Sequence, residues 1–117
     1  MRGLFLSAYI FIFSTIFANL ALYKVAEGLS KPILVIPFPN SDNKLLIIEQ
    51  KGVIKIINKS KVSEKPFLDI RDRVHRPLFP GDEMGLLGFT FDPLYDKNKF
   101  CYLHYNDKND NTIISRF

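Results

Sequence analysis

A short apolar run between turn residues, at positions 80–93, constrains the fold of this chain more than any other stretch. It begins with Pro80-Gly81 and two carboxylates, Asp82 and Glu83, and continues as an apolar segment interrupted by glycines at 85 and 88. Proline–glycine pairs mark turns, and a glycine inside a strand marks a bulge or a close approach of another segment. The run therefore predicts an acidic turn that leads into a buried strand of a β-rich domain.

The other apolar runs are also short and are separated by turns, a pattern that predicts strands and not helices. Pro77 and Pro80 argue against a helix in the irregular stretch before the acidic turn. Glu49-Gln50-Lys51-Gly52 predicts a hairpin turn, and residues 58–65 predict a loop. Strands are predicted at 33–36, 44–49, 53–57, 67–70, 84–91, 100–105 and 112–117. The pattern predicts an all-β sandwich or propeller.

The N-terminus predicts export. Residues 1–18 begin with a positive charge and continue as an apolar stretch of about 14 residues, shorter than the roughly 20 needed to span a bilayer. Ala18 offers a small residue at a cleavage point, so we expect a signal peptide at 1–18 and a periplasmic or secreted product. The alternative is an uncleaved N-terminal anchor; after cleavage no stable membrane span is expected.

Composition narrows the possible partners. The net charge is +4, and the lysines and arginines are scattered without a basic run, which argues against nucleic acid as a partner. The single cysteine, Cys101, excludes an internal disulfide and lies among apolar residues, where a small buried residue is expected. His75 and His104 are far apart and neither has a second ligand at metal-site spacing. We expect His75 to be a solvated loop residue and His104 to lie on the surface or at the edge of the core.

Residues 81–93 resemble the signature G-x-E-x-G-L-L-G-x-A-F-H-P of the glucose/sorbosone dehydrogenase family, which comprises soluble sugar dehydrogenases that use pyrroloquinoline quinone (PQQ). Thr90 and Asp92 depart from that signature, where alanine and histidine are usual. The similarity continues in order over residues 23–117, through an opening turn at 25–32, an E-x-x-G-x-I hairpin at 49–56, an F-L-D-I element at 67–70, and later elements at 95–105 and 112–117.

The resemblance implies a six-bladed β-propeller, of which residues 19–117 would form an incomplete N-terminal portion, about one blade and the start of the next. It implies oxidation of a sugar at its anomeric carbon by hydride transfer to PQQ, assisted by Ca²⁺ and followed by an external electron acceptor. The base histidine and the ligands of PQQ and Ca²⁺ would lie beyond residue 117, so the fragment alone would be inactive. Glu83, with Asp82 beside it, corresponds to the position that contacts the sugar.

Two alternatives of other kinds remain open. Hedgehog-interacting-protein-like ectodomains share the G-D-E-x-G-L-L and F-L-D-I elements, and they serve as extracellular binding proteins. The strand pattern by itself also fits a small exported β-domain with a binding role. Asp82 and Glu83 could then bind a cation or form a solvated turn.

Overall fold

A computed structural model describes residues 20–117, and the predicted signal peptide at 1–18 lies outside them. The described residues form eight strands and one short helix. The elements are β1 (Pro32–Pro37), β2 (Lys44–Glu49), β3 (Val53–Asn58), β4 (Lys61–Val62), β5 (Leu68–Asp69), β6 (Leu86–Phe91), α1 (Tyr95–Asn98), β7 (Cys101–Asn106) and β8 (Thr112–Arg116). The predicted all-β class is confirmed.

The first sheet has the architecture of a propeller blade. Strands β1, β2 and β3 form an antiparallel meander. β4 pairs with the end of β3 and β5 pairs with its beginning, so the two short strands together occupy the fourth position. Between them, backbone bonds from Ser63 and Phe67 to β3 at 2.8 Å keep the connection attached. A blade is a four-stranded sheet of this kind.

The second sheet is a three-stranded antiparallel meander of β6, β7 and β8. The β6–β7 register shifts between Leu86 and Gly88, as the glycine inside the apolar run predicts. A Cβ added at Gly88 would lie 3.3 Å from the Cβ of His104 on the neighbouring strand, so the glycine also allows close packing. The predicted role of Gly88 is therefore confirmed.

The core lies between the two sheets, because the apolar faces of β1 and β2 contact β6. Leu46, Ile48, Leu86 and Leu103 are fully buried there. Burial of such a side chain contributes about 1.5–3 kcal/mol to folding. An aromatic cluster closes one side of this core with edge-to-face contacts, for example 5.4 Å between the ring centres of Phe38 and Phe91. Its members are Phe38, Phe67, Phe89, Phe91 and Tyr95.

Two elements differ from the sequence expectation. The stretch 58–65, predicted to be a loop, contains β4. Helix α1 was not predicted, and it depends on Asp92, whose carboxylate accepts hydrogen bonds from the Leu94 amide at 2.8 Å and from Asn98 at 2.9 Å. These two contacts, the Asn98 bond first, also lower the pKa of Asp92. Asp92, one of the departures from the family signature, thus has a local structural role.

Within residues 20–117, no helix has the length and apolar character needed to cross a membrane.

Candidate functional site

Three connections meet at one end of the two sheets. They are the β2–β3 turn at 50–52, the 71–85 loop that precedes β6, and the β7–β8 turn at 107–111. The 71–85 loop joins the β7–β8 turn through the Val74–Asp107 bridge and through a bond from the His75 amide to the Asn106 carbonyl at 2.8 Å. The predicted acidic turn lies within this loop, so the candidate site is built from segments distant in sequence.

Gly85 is the point at which the 71–85 loop enters β6. Its φ of +137° is a conformation that residues with a side chain rarely adopt. A Cβ at this position would lie 2.4 Å from the Gln50 carbonyl oxygen, and that same oxygen accepts a bond from the Leu86 amide at 2.7 Å. The sequence prediction of a positive φ or a close approach at Gly85 is confirmed, and both occur.

The Gln50 side chain also holds the 71–85 loop in place. Its Nε2 donates to the carbonyl oxygens of Asp82 at 2.6 Å and Met84 at 2.9 Å. The Gly85 amide donates to the Asn106 side chain at 3.3 Å. Gln50 and Asn106 are both buried, and buried amides of this kind stabilise a structure only when their hydrogen bonds are made. The loop backbone is therefore held by side chains from both sheets.

Asp82 lies inside this loop with its carboxylate engaged. The side chain is only 3% exposed. It accepts hydrogen bonds from the Leu78 amide at 2.9 Å and the Met84 amide at 3.0 Å, and it lies 3.2 Å from His75 Nε2. These contacts, the Leu78 amide first, lower the pKa of Asp82. This placement favours support of the loop over direct contact with a substrate.

His75 is not the solvated residue that the sequence suggests, because its side chain is only 11% exposed. Its Nε2 faces Asp82, and its Nδ1 lies 2.9 Å from Asp110 in the β7–β8 turn. The Asp82 contact is the main cause that raises the pKa of His75. Sequence spacing gave no signal of this trio, since the three residues come together only when β7 and β8 fold beside the loop.

Glu83, next to the buried Asp82, is the exposed carboxylate of the acidic turn. Within the described residues it makes no hydrogen bond, and it lines an open cleft of about 650 Å³. This cleft, here the Glu83 cleft, lies between the start of β1 and the start of β6. Its other walls are Lys31, Ile33, Gln50, Pro80, Gly81, Asp82 and Leu87. A carboxylate and an ammonium group thus line one cleft, which can both accept and donate hydrogen bonds.

A buried glutamate holds the chain beside Lys31. The carboxylate of Glu49 is fully buried and accepts bonds from the Ser30 amide at 2.8 Å and from Lys55 at 2.8 Å. Lys51 lies 3.3 Å from its other oxygen, within ion-pair distance but without hydrogen-bond geometry. Burial alone would raise the pKa of Glu49, yet Lys55, the Ser30 amide and Lys51 together lower it. The sequence marks Glu49 as part of a hairpin, but no local pattern indicates that its carboxylate is buried and paired.

The described residues contain no cluster of three or more His, Cys, Asp or Glu side chains that could hold a metal ion. They therefore do not fit a Ca²⁺ site by themselves. Lys31 is the cation that lines the Glu83 cleft, whereas the several carboxylates of PQQ require more than one cationic partner. The expectation that the ligands of both groups lie beyond residue 117 stays a prediction.

Solved structures of sugar dehydrogenases share this fold. The PQQ-bound form of an aldose sugar dehydrogenase from Streptomyces coelicolor matches with a TM-score of 0.62 and 23% identity, over 81% of this chain and 26% of that one. A putative oxidoreductase from Thermus thermophilus, described as a glucose dehydrogenase, matches with a TM-score of 0.62 and 20% identity, over 80% and 26% of the two chains. The described chain has the fold of part of these dehydrogenases. The predicted propeller portion is thereby confirmed at the level of fold.

Sequence comparison finds relatives of another kind. Hedgehog-interacting protein from Mus musculus is 31% identical over 96 residues, and the protein from Homo sapiens is 31% identical over 94 residues. The matches cover 81% and 80% of this chain but only 14% and 13% of those proteins. No protein-family model matches the chain.

Proposed function

We propose that this chain is part of an exported, PQQ-dependent sugar dehydrogenase, and that the Glu83 cleft contacts the sugar. The observation that carries the proposal is the exposed Glu83 carboxylate at the end of the sheets, in a chain that shares its fold with a PQQ-bound aldose sugar dehydrogenase. The reaction would oxidise an aldose or sorbosone at its anomeric carbon, with PQQ as hydride acceptor and an external acceptor for the electrons.

The position of the cleft supports this role. β1 and β6 are the first strands of two neighbouring sheets, and the blades of a propeller surround a central channel. A cleft between the first strands of two blades would open toward that channel. Binding sites in closed β architectures commonly occupy such mouths.

The chemistry of the cleft walls suits a sugar. A carboxylate accepts hydrogen bonds from hydroxyl groups, and such charge-assisted bonds are about twice as strong as neutral ones. Lys31, which also lines the cleft, can donate to a hydroxyl or ring oxygen. Asp82 contributes by holding the loop through the Leu78 and Met84 amides, so that Glu83 faces the cleft with little reorganisation on binding.

The described residues would supply binding and orientation in this reaction. PQQ, when bound, would supply the redox chemistry, and Ca²⁺ is implied with it by the family resemblance alone. Residues beyond 117 would have to supply the base and the cofactor ligands. Export likewise rests on the apolar leader at residues 1–18.

The test is steady-state kinetics of the full-length protein, reconstituted with PQQ and Ca²⁺, on a panel of aldoses and sorbosone with a dye as electron acceptor. Glu83→Ala should lower kcat/KM by about ten- to one-hundredfold, because one charge-assisted hydrogen bond to the sugar is lost. Thermal stability and PQQ binding should stay near those of the wild type.

The matched control is Glu64→Ala, which removes an exposed glutamate from the β4–β5 connection, away from the Glu83 cleft. It should leave kcat/KM unchanged. Wild-type kinetics in Glu83→Ala would show that Glu83 is only a solvated turn residue. Absence of sugar oxidation by the PQQ-loaded wild type would overturn the proposed activity.

A non-catalytic binding role is the second candidate, favoured by one observation. The sequence is more similar to Hedgehog-interacting protein, at 31% identity, than to the two dehydrogenase structures, at 23% and 20%. A protein of that type would bind a protein ligand and would neither bind PQQ nor oxidise sugars. Titration of the full-length protein with PQQ, followed by absorbance, separates the two candidates before any substrate is known.

A further inference from the structure

His75 lies between two carboxylates that belong to different segments. Asp82 in the 71–85 loop faces Nε2 at 3.2 Å, and Asp110 in the β7–β8 turn faces Nδ1 at 2.9 Å. A neutral imidazole has one donor nitrogen and one acceptor nitrogen, whereas the protonated ring has two donors. Both contacts can be hydrogen bonds at the same time only when the ring is protonated.

We propose that His75 is a pH-sensitive positioning residue, whose protonated ring ties the 71–85 loop to the β7–β8 turn and thereby holds Glu83 at its cleft. The consequence for Glu83 rests on the proposed function, whereas the tie itself does not. His75 acts through the loop and does not line the Glu83 cleft, so it is not a catalytic residue.

The surroundings of His75 favour the protonated ring. The Asp82 side chain is 3% exposed and that of Asp110 is 62% exposed, so the carboxylate at Nε2 is shielded from water and the one at Nδ1 is not. Three cations, Arg71, Arg76 and Lys108, line the same shallow depression as His75 without a hydrogen bond to the ring, and they oppose its charge weakly. The two direct contacts dominate, and the pKa of His75 lies above its usual value, mainly because of Asp82.

Deprotonation would affect the two contacts differently. Asp82 keeps its bonds from the Leu78 and Met84 amides and needs no proton from the ring to remain in place. Asp110 is exposed and lies in a short turn, at a φ of +64°. When the ring loses a proton, one nitrogen presents a lone pair to the carboxylate that faces it, and the two repel each other. Asp110 can relieve this repulsion by moving into water. The contact between the ring and the β7–β8 turn is then lost, while the Val74–Asp107 bridge and the bond from the His75 amide to the Asn106 carbonyl remain.

The sign of the pH effect follows from the raised pKa. The tie is fully present below the pKa of an unfolded histidine, about 6.5, and it is lost as pH rises through the higher value of the folded protein. We therefore expect the 71–85 loop to loosen as pH rises above the ordinary histidine value.

The test is hydrogen exchange, followed by mass spectrometry, on peptides covering residues 76–84 of the full-length protein. Exchange is measured at about pH 5.5 and about pH 8.5, on either side of the ordinary histidine pKa, and corrected for intrinsic rates. In the wild type, protection should fall by about tenfold between these values, which is the scale expected for the loss of one charge-assisted hydrogen bond. His75→Gln should show low protection with no such pH dependence.

Two further variants provide a control and a test of the Asp110 contact. His104→Gln, which changes the other histidine of the described chain, should behave like the wild type. Asp110→Asn should move the transition to lower pH, because one of the two charges that stabilise the protonated ring is removed. An unchanged midpoint in Asp110→Asn, or constant protection of the wild type across this pH range, would overturn the proposal even if His75→Gln fails to fold.

Kinetics provide a separate measurement. If the proposed sugar oxidation occurs, KM should rise over the same pH range while the variant His75→Gln shows a high KM throughout. If no oxidation is found but the exchange results are as expected, the proposed function fails and the role of His75 stands.

Discussion

The β2–β3 turn and the 71–85 loop meet at the Gln50 carbonyl, but different interactions shape them. The turn is closed by a bond from the Gly52 amide to the Glu49 carbonyl at 3.0 Å, within four residues, and Gly52 takes a φ of +102°. The loop is held by Gln50 and Asn106, which are 21 to 34 residues away from their loop partners. A turn closed within itself can be identified from local sequence, whereas a loop held by distant side chains cannot.

The two regions also differ in which of their groups remain available to a ligand. The turn supplies a rigid carbonyl and a buried amide, both used for structure. The acidic turn of the loop carries one carboxylate directed inward, Asp82, and one directed outward, Glu83. Binding residues are often found on loops that a rigid scaffold positions, and this pair of segments follows that division.

The largest expected effect tests the junction of the two regions. Gly85→Val should abolish stable folding, because the φ of +137° is strained for a β-branched residue and the new Cβ would lie 2.4 Å from the Gln50 carbonyl oxygen. The measurement is a thermal melt of the full-length protein with circular dichroism. Gly81→Val is the matched control, since Gly81 also has a positive φ, +97°, but has no atom within 4 Å of an added Cβ. Equal losses in both variants would mean that backbone strain, and not the contact with Gln50, is what matters.

An intermediate effect is expected in the strand that leads into the turn. Glu49→Ala should lower the free energy of unfolding by about 1–3 kcal/mol, because the Ser30 amide loses its acceptor and Lys51 and Lys55 lose a buried partner. Chemical denaturation of the full-length protein measures the loss. Asp69→Ala, which breaks a more exposed ion pair with Arg71, should cost less. A larger loss in Asp69→Ala would contradict the importance of the buried carboxylate.

The smallest expected effect is confined to the loop. Because the pKa of Asp82 is lowered, its contribution is present above the ordinary aspartate pKa of about 3.9 and is lost as pH falls through the lower folded value. The protection of the Leu78 and Met84 amides, the two donors to Asp82, should therefore fall in acid once exchange is corrected for intrinsic rates. Protection of the β2–β3 turn should stay the same. In Asp82→Asn the acid dependence at these two amides should disappear. Equal acid sensitivity of the turn would indicate general unfolding and not a local effect.

Much of the fold could be predicted from the sequence. The predicted strand at 44–49 matches β2 at both ends, and the predicted hairpin turn at 49–52 is present. Both depend on local periodicity and turn chemistry. The two elements that were not predicted, β4 and α1, have separate physical causes. β4 has only two residues, too few for a pattern. α1 depends on the Asp92 carboxylate, which a count of apolar residues cannot detect.

The candidate site was predictable only in part. The sequence located the acidic turn, but it could not separate Asp82 from Glu83, since the two are adjacent carboxylates. Their difference in exposure comes from the amides of Leu78 and Met84 and from His75, which the folded loop brings to Asp82 alone. His75 and Asp110 are 35 residues apart and come into contact only in the folded chain, so local sequence could not predict their pairing.

The contact between Gly85 and Gln50 has a consequence for comparisons among related sequences. Co-varying positions reveal contacts when two side chains compensate for each other's changes. Here the closest atom to the missing Cβ is a main-chain carbonyl oxygen, which every residue at position 50 would carry. A change of side chain at 50 cannot make room for a larger residue at 85. This close contact should therefore appear in related sequences as a glycine at 85 that does not covary with position 50.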